Sequence, residues 1–146
     1  RSESLPGIRW TSLERFGAMA DLSEAVKAKM LARLSADAAV IAIVPAVRIY
    51  PMQPQANPPY PFIRYGVPTV TPYEDGCGDG VAMTATIHAF TRSENEAQDL
   101  ARVVSASLDD MPEFSACDWL RTNFMVDGNE ADVWHVAMDF AVIHTA

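Results

Sequence analysis

Lysine is nearly missing from this chain. Lys27 and Lys29 are the only two among 146 residues, and 11 basic side chains stand against 19 acidic ones, for a formal charge of −8. So few cations exclude a protein that wraps nucleic acid or lies on an anionic membrane, because both contacts depend on clustered Lys and Arg. Cysteine is as scarce. Cys77 and Cys117 are too few for a disulfide scaffold, and no C-x-x-C spacing is available for thiol redox chemistry. No apolar run approaches the ~18 residues of a membrane helix, and the first residues lack the apolar centre of a secretory leader.

What is present is an ordinary globular composition, 49% hydrophobic, at a length that suits one domain. The charge is distributed unevenly. Residues 1–36 hold six basic and four acidic side chains, whereas the remainder holds five basic and fifteen acidic. The body of the domain is therefore the acidic part.

Residues 1–20 show no sustained period and are expected to be an N-terminal extension, in part introduced by cloning, that docks through Trp10, Leu13 and Phe16. A single α+β domain is expected over residues 21–146. Asp21-Leu22-Ser23-Glu24 has capping-box spacing, and Leu22, Val26, Met30 and Leu34 follow at intervals of four, which predicts an amphipathic helix. A short helical piece over 37–44 is stopped by Pro45. A short strand at 48–50 leads into five prolines between residues 51 and 61, which force an extended loop, and Phe62 opens the next strand.

Residues 72–80 read as a turn-rich loop. Residues 81–91 read as a long strand with Val81, Met83, Ala85, Ile87 and Ala89 on one side and Thr84, Thr86, His88 and Phe90 on the other. Ser93-Glu94-Asn95-Glu96 predicts a second helix, with Ala97, Leu100, Ala101, Val104 and Leu108 on its buried face. Two final strands, 119–126 and 131–144, are joined by Asp127-Gly128-Asn129-Glu130, a strong hairpin signal. The expected architecture is one mainly antiparallel sheet of four to five strands with two helices packed on one face.

Catalytic constellations are sparse. Gly76-Cys77-Gly78-Asp79-Gly80 lacks the Lys-Ser/Thr and the following helix of a phosphate loop, and its acids do not match a calcium-loop spacing. His88, His135 and Asp139 fall on the less apolar parity of two predicted strands, yet neither a third metal ligand nor a nucleophile is placed beside them. Each cysteine has aspartates beside it, which disfavours a thiolate. Tyr50, Tyr60, Phe62, Tyr65 and Tyr73 are interleaved with prolines and are read first as packing for the irregular segment, with subunit contact as the lesser alternative.

The ordered set of segments carries a resemblance. Asp37-Ala38-Ala39-Val40-Ile41-Ala42-Ile43-Val44 follows the first helix, then come Arg48-Ile49-Tyr50-Pro51 and Tyr60-Pro61-Phe62-Ile63-Arg64-Tyr65. After these stand a strand ending Ala89-Phe90-Thr91, the helix opened by Ser93-Glu94-Asn95-Glu96-Ala97, and a last strand with Met138-Asp139-Phe140. From about residue 21 onward the chain resembles the tail completion or tail terminator proteins of long-tailed bacteriophages, including prophage and gene-transfer-agent versions.

The resemblance implies a non-enzymatic ring, typically a hexamer, that terminates the tail tube and joins it to a head connector or stopper protein. It implies a place in the virion tail or neck after assembly in the bacterial cytoplasm. DNA then passes through the channel without being specifically bound, no membrane is involved, and no catalytic residue, metal or cofactor is carried over. On this reading Tyr73, Glu74, Asp75 and Asp79 are the candidates for a lumen or tube-contact loop. Tyr50, Tyr60, Tyr65, His88 and His135 are the candidates for subunit contact. The alternative is a small oligomeric α+β enzyme or ligand-binding module using the His88/His135/Asp139 face.

Overall fold

Helix α1 (Ser12–Ala36) begins earlier than the sequence suggests. The structure, a computed structural model, describes residues 11–74, 79–126 and 132–145. The N-cap is Thr11, whose hydroxyl accepts from Glu14 N (3.1 Å) while the Glu14 carboxylate accepts from Thr11 N (2.8 Å). This reciprocal box satisfies two of the free donors at the helix start, so nucleation occurs there. Ala18, Met19 and Ala20 are strong helix formers, and no proline intervenes, so the helix runs through Asp21 without stopping. Leu13 and Phe16, expected to dock, are instead 82% and 66% exposed. Further along, Val26, Met30 and Leu34 are fully buried, as the four-residue spacing predicts.

Asp37 then caps α2 (Ala38–Ile41), its carboxylate accepting from Ala39 N (2.9 Å). Six strands follow: β1 (Ile49–Tyr50), β2 (Phe62–Tyr65), β3 (Thr69–Glu74), β4 (Asp79–Thr91), β5 (Ala116–Val126) and β6 (Trp134–Thr145). Between β4 and β5 lies α3 (Glu94–Leu108), where Ser93 Oγ accepts from Glu96 N (3.2 Å). The strand order is β1-β2-β4-β6-β5, with β3 also paired to β4. Every pairing is antiparallel except β1 with β2. This α+β sheet has one strand more than the four to five expected.

The additional strand is β3, whose last residues 72–74, with 79 and 80 of β4, pair antiparallel where a loop over 72–80 was expected. Thr69, Val70 and Thr71 favour extended backbone, and Pro72 is tolerated because β3 is an edge strand. Along one edge of β4, β3 takes residues 79–84 and β2 takes 87–90, and β6 occupies the whole opposite edge. Residues 75–78, including Asp75 and Cys77, lie outside the described residues. So do residues 127–130, where the hairpin signal was read.

Both long helices cover the same side of the sheet. There Val81, Met83, Ala85, Ile87 and Ala89 of β4 and Val136, Met138, Phe140 and Val142 of β6 form one cluster with Val26, Met30 and Leu34 of α1 and Leu100 and Val104 of α3. The alternation expected for β4 is thus realised, β6 alternates in the same way, and each fully buried Val, Leu or Met contributes about 1.5–3 kcal/mol. Arg33 ties the two helices, its Nε donating to Ser107 O (3.1 Å). Among the described residues, no helix is long and apolar enough to cross a membrane.

Candidate functional site

With the helices on one side, the opposite face of the sheet is left to the other parity of each strand. Phe62 and Arg64 of β2, Thr86, His88 and Phe90 of β4, His135 and Asp139 of β6, and Arg121 of β5 fall on it. The proline segment closes one end of this face. Tyr50 meets Phe62 edge-on (5.9 Å between centroids), Tyr60 packs on Phe62 at 5.5 Å, and Arg48 Nη1 donates to Tyr60 O (3.2 Å). Tyr50 and Tyr60 therefore do what aromatics in such a segment usually do, holding an irregular path against the sheet.

From Phe62 a stack runs across the strands. Phe62 stacks on Phe90 (4.7 Å), Phe90 on His135 (4.3 Å), and His135 tilts against His88 (4.9 Å). Two cations border it, Arg64 over the Phe90 ring at 5.6 Å and Arg92 over Tyr60 at 4.6 Å. His88 Nδ1 and His135 Nε2 are 2.7 Å apart, one donating and the other accepting. Partial burial, followed by the nearby Arg64 and His135, pulls the His88 pKa down to about 4, against a smaller upward effect of Asp139. At neutral pH His88 is thus uncharged, and it is too weak a base to draw a proton from a substrate.

Asp139 does not join the histidines. Its Oδ1 accepts from Thr86 Oγ1 (2.6 Å) and its Oδ2 pairs with Arg121 Nη1 (2.7 Å). No group of three or more His, Cys, Asp or Glu positioned for a metal occurs among the described residues. Cys117 Sγ donates to Leu108 O (3.1 Å), and burial, with Asp109, Asp118 and Asp110 adding, pushes its pKa up to about 11. It is an inert core thiol, as its aspartate neighbours led one to expect.

Of the five expected contact residues, Tyr50, Tyr60, His88 and His135 share the helix-free face. Tyr65 does not: it is 4% exposed on the helix side, in the core cluster, with Lys27 Nζ 5.6 Å from its ring centroid. Burial and the Glu24 carboxylate push its pKa up to about 12. The Tyr65 hydroxyl and Arg64 Nε are buried without a hydrogen-bond partner, and both residues border a cleft of about 380 Å³ with Glu24, Lys27, Met52 and Val67. Tyr73 is half-buried in β3 opposite Gly80, and Glu74 pairs with Asp79 across the hairpin.

Sequence reasoning passed over Arg64, Thr86 and Arg121. Each is a polar residue within a strand, and only the register shows that Arg64 lies beside His88 and that Arg121 faces Asp139. It read 119–126 as a strand but did not single out its surface, where Trp119, Leu120, Phe124, Met125 and Val126 are between 40% and 50% exposed.

The sheet is shielded on one side by helices and has a stacked aromatic face and an exposed apolar edge on the other. The fold is similar to that of a chain in the virion of a native gene transfer agent particle, with a TM-score of 0.75 and 20% identity over 86% of this chain and 98% of that one. The family of tail completion protein gp17 matches residues 28–145, and the chain belongs to that family. No curated protein matches it. The chain is a structural, non-enzymatic protein of a phage-type tail, placed in the tail or neck of the virion and assembled there with other tail or head proteins.

Proposed function

We propose that copies of this chain, six in number as the resemblance implies, form a ring that terminates the tail tube and joins it to the head connector or stopper protein. Assembly takes place in the bacterial cytoplasm. The observation that carries the reading is the sheet itself: one face is sealed by α1 and α3, whereas the other presents Tyr50, Tyr60, His88 and His135 beside an exposed apolar edge. Apolar surface of that kind marks a protein interface.

Charge supports the channel. With fifteen acidic and five basic side chains after residue 36, the body repels phosphate, so DNA passes without being gripped. The β3–β4 hairpin, with Tyr73, Glu74, Asp75 and Asp79, is the segment assigned to the lumen or the tube. Native mass spectrometry of the full chain, alone and with tail tubes, tests the ring. A species of six copies is expected, and a compact dimer under both conditions contradicts it.

A further inference from the structure

We infer that consecutive copies meet head to tail, with the first two turns of α1 in one copy seated on the outer edge of β5 in the next. This assignment rests on the ring reading and names its surfaces. Among the described residues, two of the exposed apolar patches bear on this contact. One is Leu13 and Phe16, three residues apart and 82% and 66% exposed on turns that the Thr11–Glu14 box holds helical. The other is β5.

β5 is an edge strand of 11 residues containing neither lysine nor proline, the usual protections of a free edge. A strand with one face in water alternates apolar with polar residues, but β5 does not. Met125, opposite His135, is on the helix-free parity, whereas Phe124 and Val126, opposite Val136 and Trp134, are on the helix parity, and all three are exposed. The irregularity between Trp119 and Arg121 sets Leu120 out of register, a means by which an edge redirects a side chain. Trp119 beside it is held by Nε1 donating to Thr122 Oγ1 (2.9 Å). A surface apolar on both parities, with a fixed Trp near one end, suits a protein knob.

Placement and charge select the occupant. Near Leu13 and Phe16, Arg15 and Met19 border a small cleft with Pro72 and Tyr73, so this end of α1 lies at the β3 side of the sheet. β5 is the opposite edge. Patches on opposite sides make a heterologous contact, which closes into a ring when the rotation between copies permits. Exposed Asp109, Asp110, Glu113 and Asp118 surround the start of β5, whereas the first two turns of α1 carry one acid and one base, Glu14 and Arg15, between the two knobs. A two-fold β5 to β5 contact would bring those carboxylates against each other. The α1 to β5 contact avoids that repulsion.

Disulfide trapping tests this contact, using full-length Cys77→Ser chains that carry either Phe16→Cys or Leu120→Cys. Mild oxidation is expected to link the two chains when mixed and neither with itself, and a chain with both substitutions is expected to give a covalent ladder. A ring seen by native mass spectrometry without the mixed link overturns the contact but leaves the ring standing. A Leu120→Cys self-link in a species no larger than a dimer, or a chain that stays monomeric at all concentrations and on tubes, overturns both. Leu120→Asp is expected to leave the melting temperature within a few degrees of the parent and to abolish assembly; assembly that survives in a folded variant contradicts the contact.

Discussion

His88 Nδ1 lies 2.7 Å from His135 Nε2 across the β4–β6 pair, and the two imidazoles are the polar centre of an otherwise aromatic stack. The contact is diagonal, since Phe90 rather than His88 is the register partner of His135. Such a pair accommodates one shared proton readily but not a positive charge on both rings beside Arg64.

Acid should therefore weaken the fold through His88. Its folded pKa of about 4 lies below the ordinary 6.5, so the unfolded chain binds the proton more readily. Its contribution to stability is complete above about pH 6.5 and is lost as the pH falls toward 4. The side chain is only partly buried, so the expected loss is about 1 kcal/mol after discounting for screening. Thermal melts between pH 4 and 7 check this: His88→Gln should flatten the slope over that window, and an unchanged slope would assign it to the carboxylates.

Gly66 makes room for the same imidazole. A Cβ there would stand 2.8 Å from His88 Nε2 and 3.0 Å from Thr86 O, the carbonyl that accepts from Gly66 N at 2.7 Å. Neither neighbour yields easily, since one is held by His135 and the other is backbone. Gly66→Ala should cost about 1–3 kcal/mol by denaturant unfolding, as overpacked sites do. Removing the ring with His88→Ala in the same chain should return part of that loss, giving a non-additive pair.

The Tyr65 hydroxyl supports nothing in the fold. It is buried without a partner, so Tyr65→Phe removes an unsatisfied polar atom and retains the ring in the core. Stability should stay level or rise by about 1 kcal/mol, read as a higher denaturant midpoint at constant slope. A fall of that size would mean that the hydroxyl has a partner in solution.

Much of the fold was legible in the sequence because periodicity reports burial. The two-residue alternation in β4 and β6 and the four-residue spacing from Val26 to Leu34 correspond to the core cluster residue by residue. The start of α1 was not legible in the same way. Asp21-Leu22-Ser23-Glu24 and Thr11-Ser12-Leu13-Glu14 carry equivalent capping spacing, and the choice between them depends on whether residues 12–20 remain helical without packing. β3 was hidden because Pro72 signals a break everywhere except at a sheet edge, and edge position is a property of the assembled sheet.

The helix-free face was half legible. Parity placed His88, His135 and Asp139 on one side, and the structure agrees, but parity does not say which of them touch. Thr86 and Arg121 take Asp139 away from the histidines through cross-strand pairs that exist only once the register is set. Tyr65 was grouped with Tyr50 and Tyr60 as one of a run of aromatics between prolines. Its odd position next to Arg64 in β2 turns it toward α1 instead.

Electron microscopy of particles produced without this chain tests the proposed role most directly. A ring that terminates the tube and joins it to the connector requires heads and tails to accumulate apart, and supplying the chain in trans should restore joined particles. Joined, transfer-competent particles formed in its absence would contradict that role.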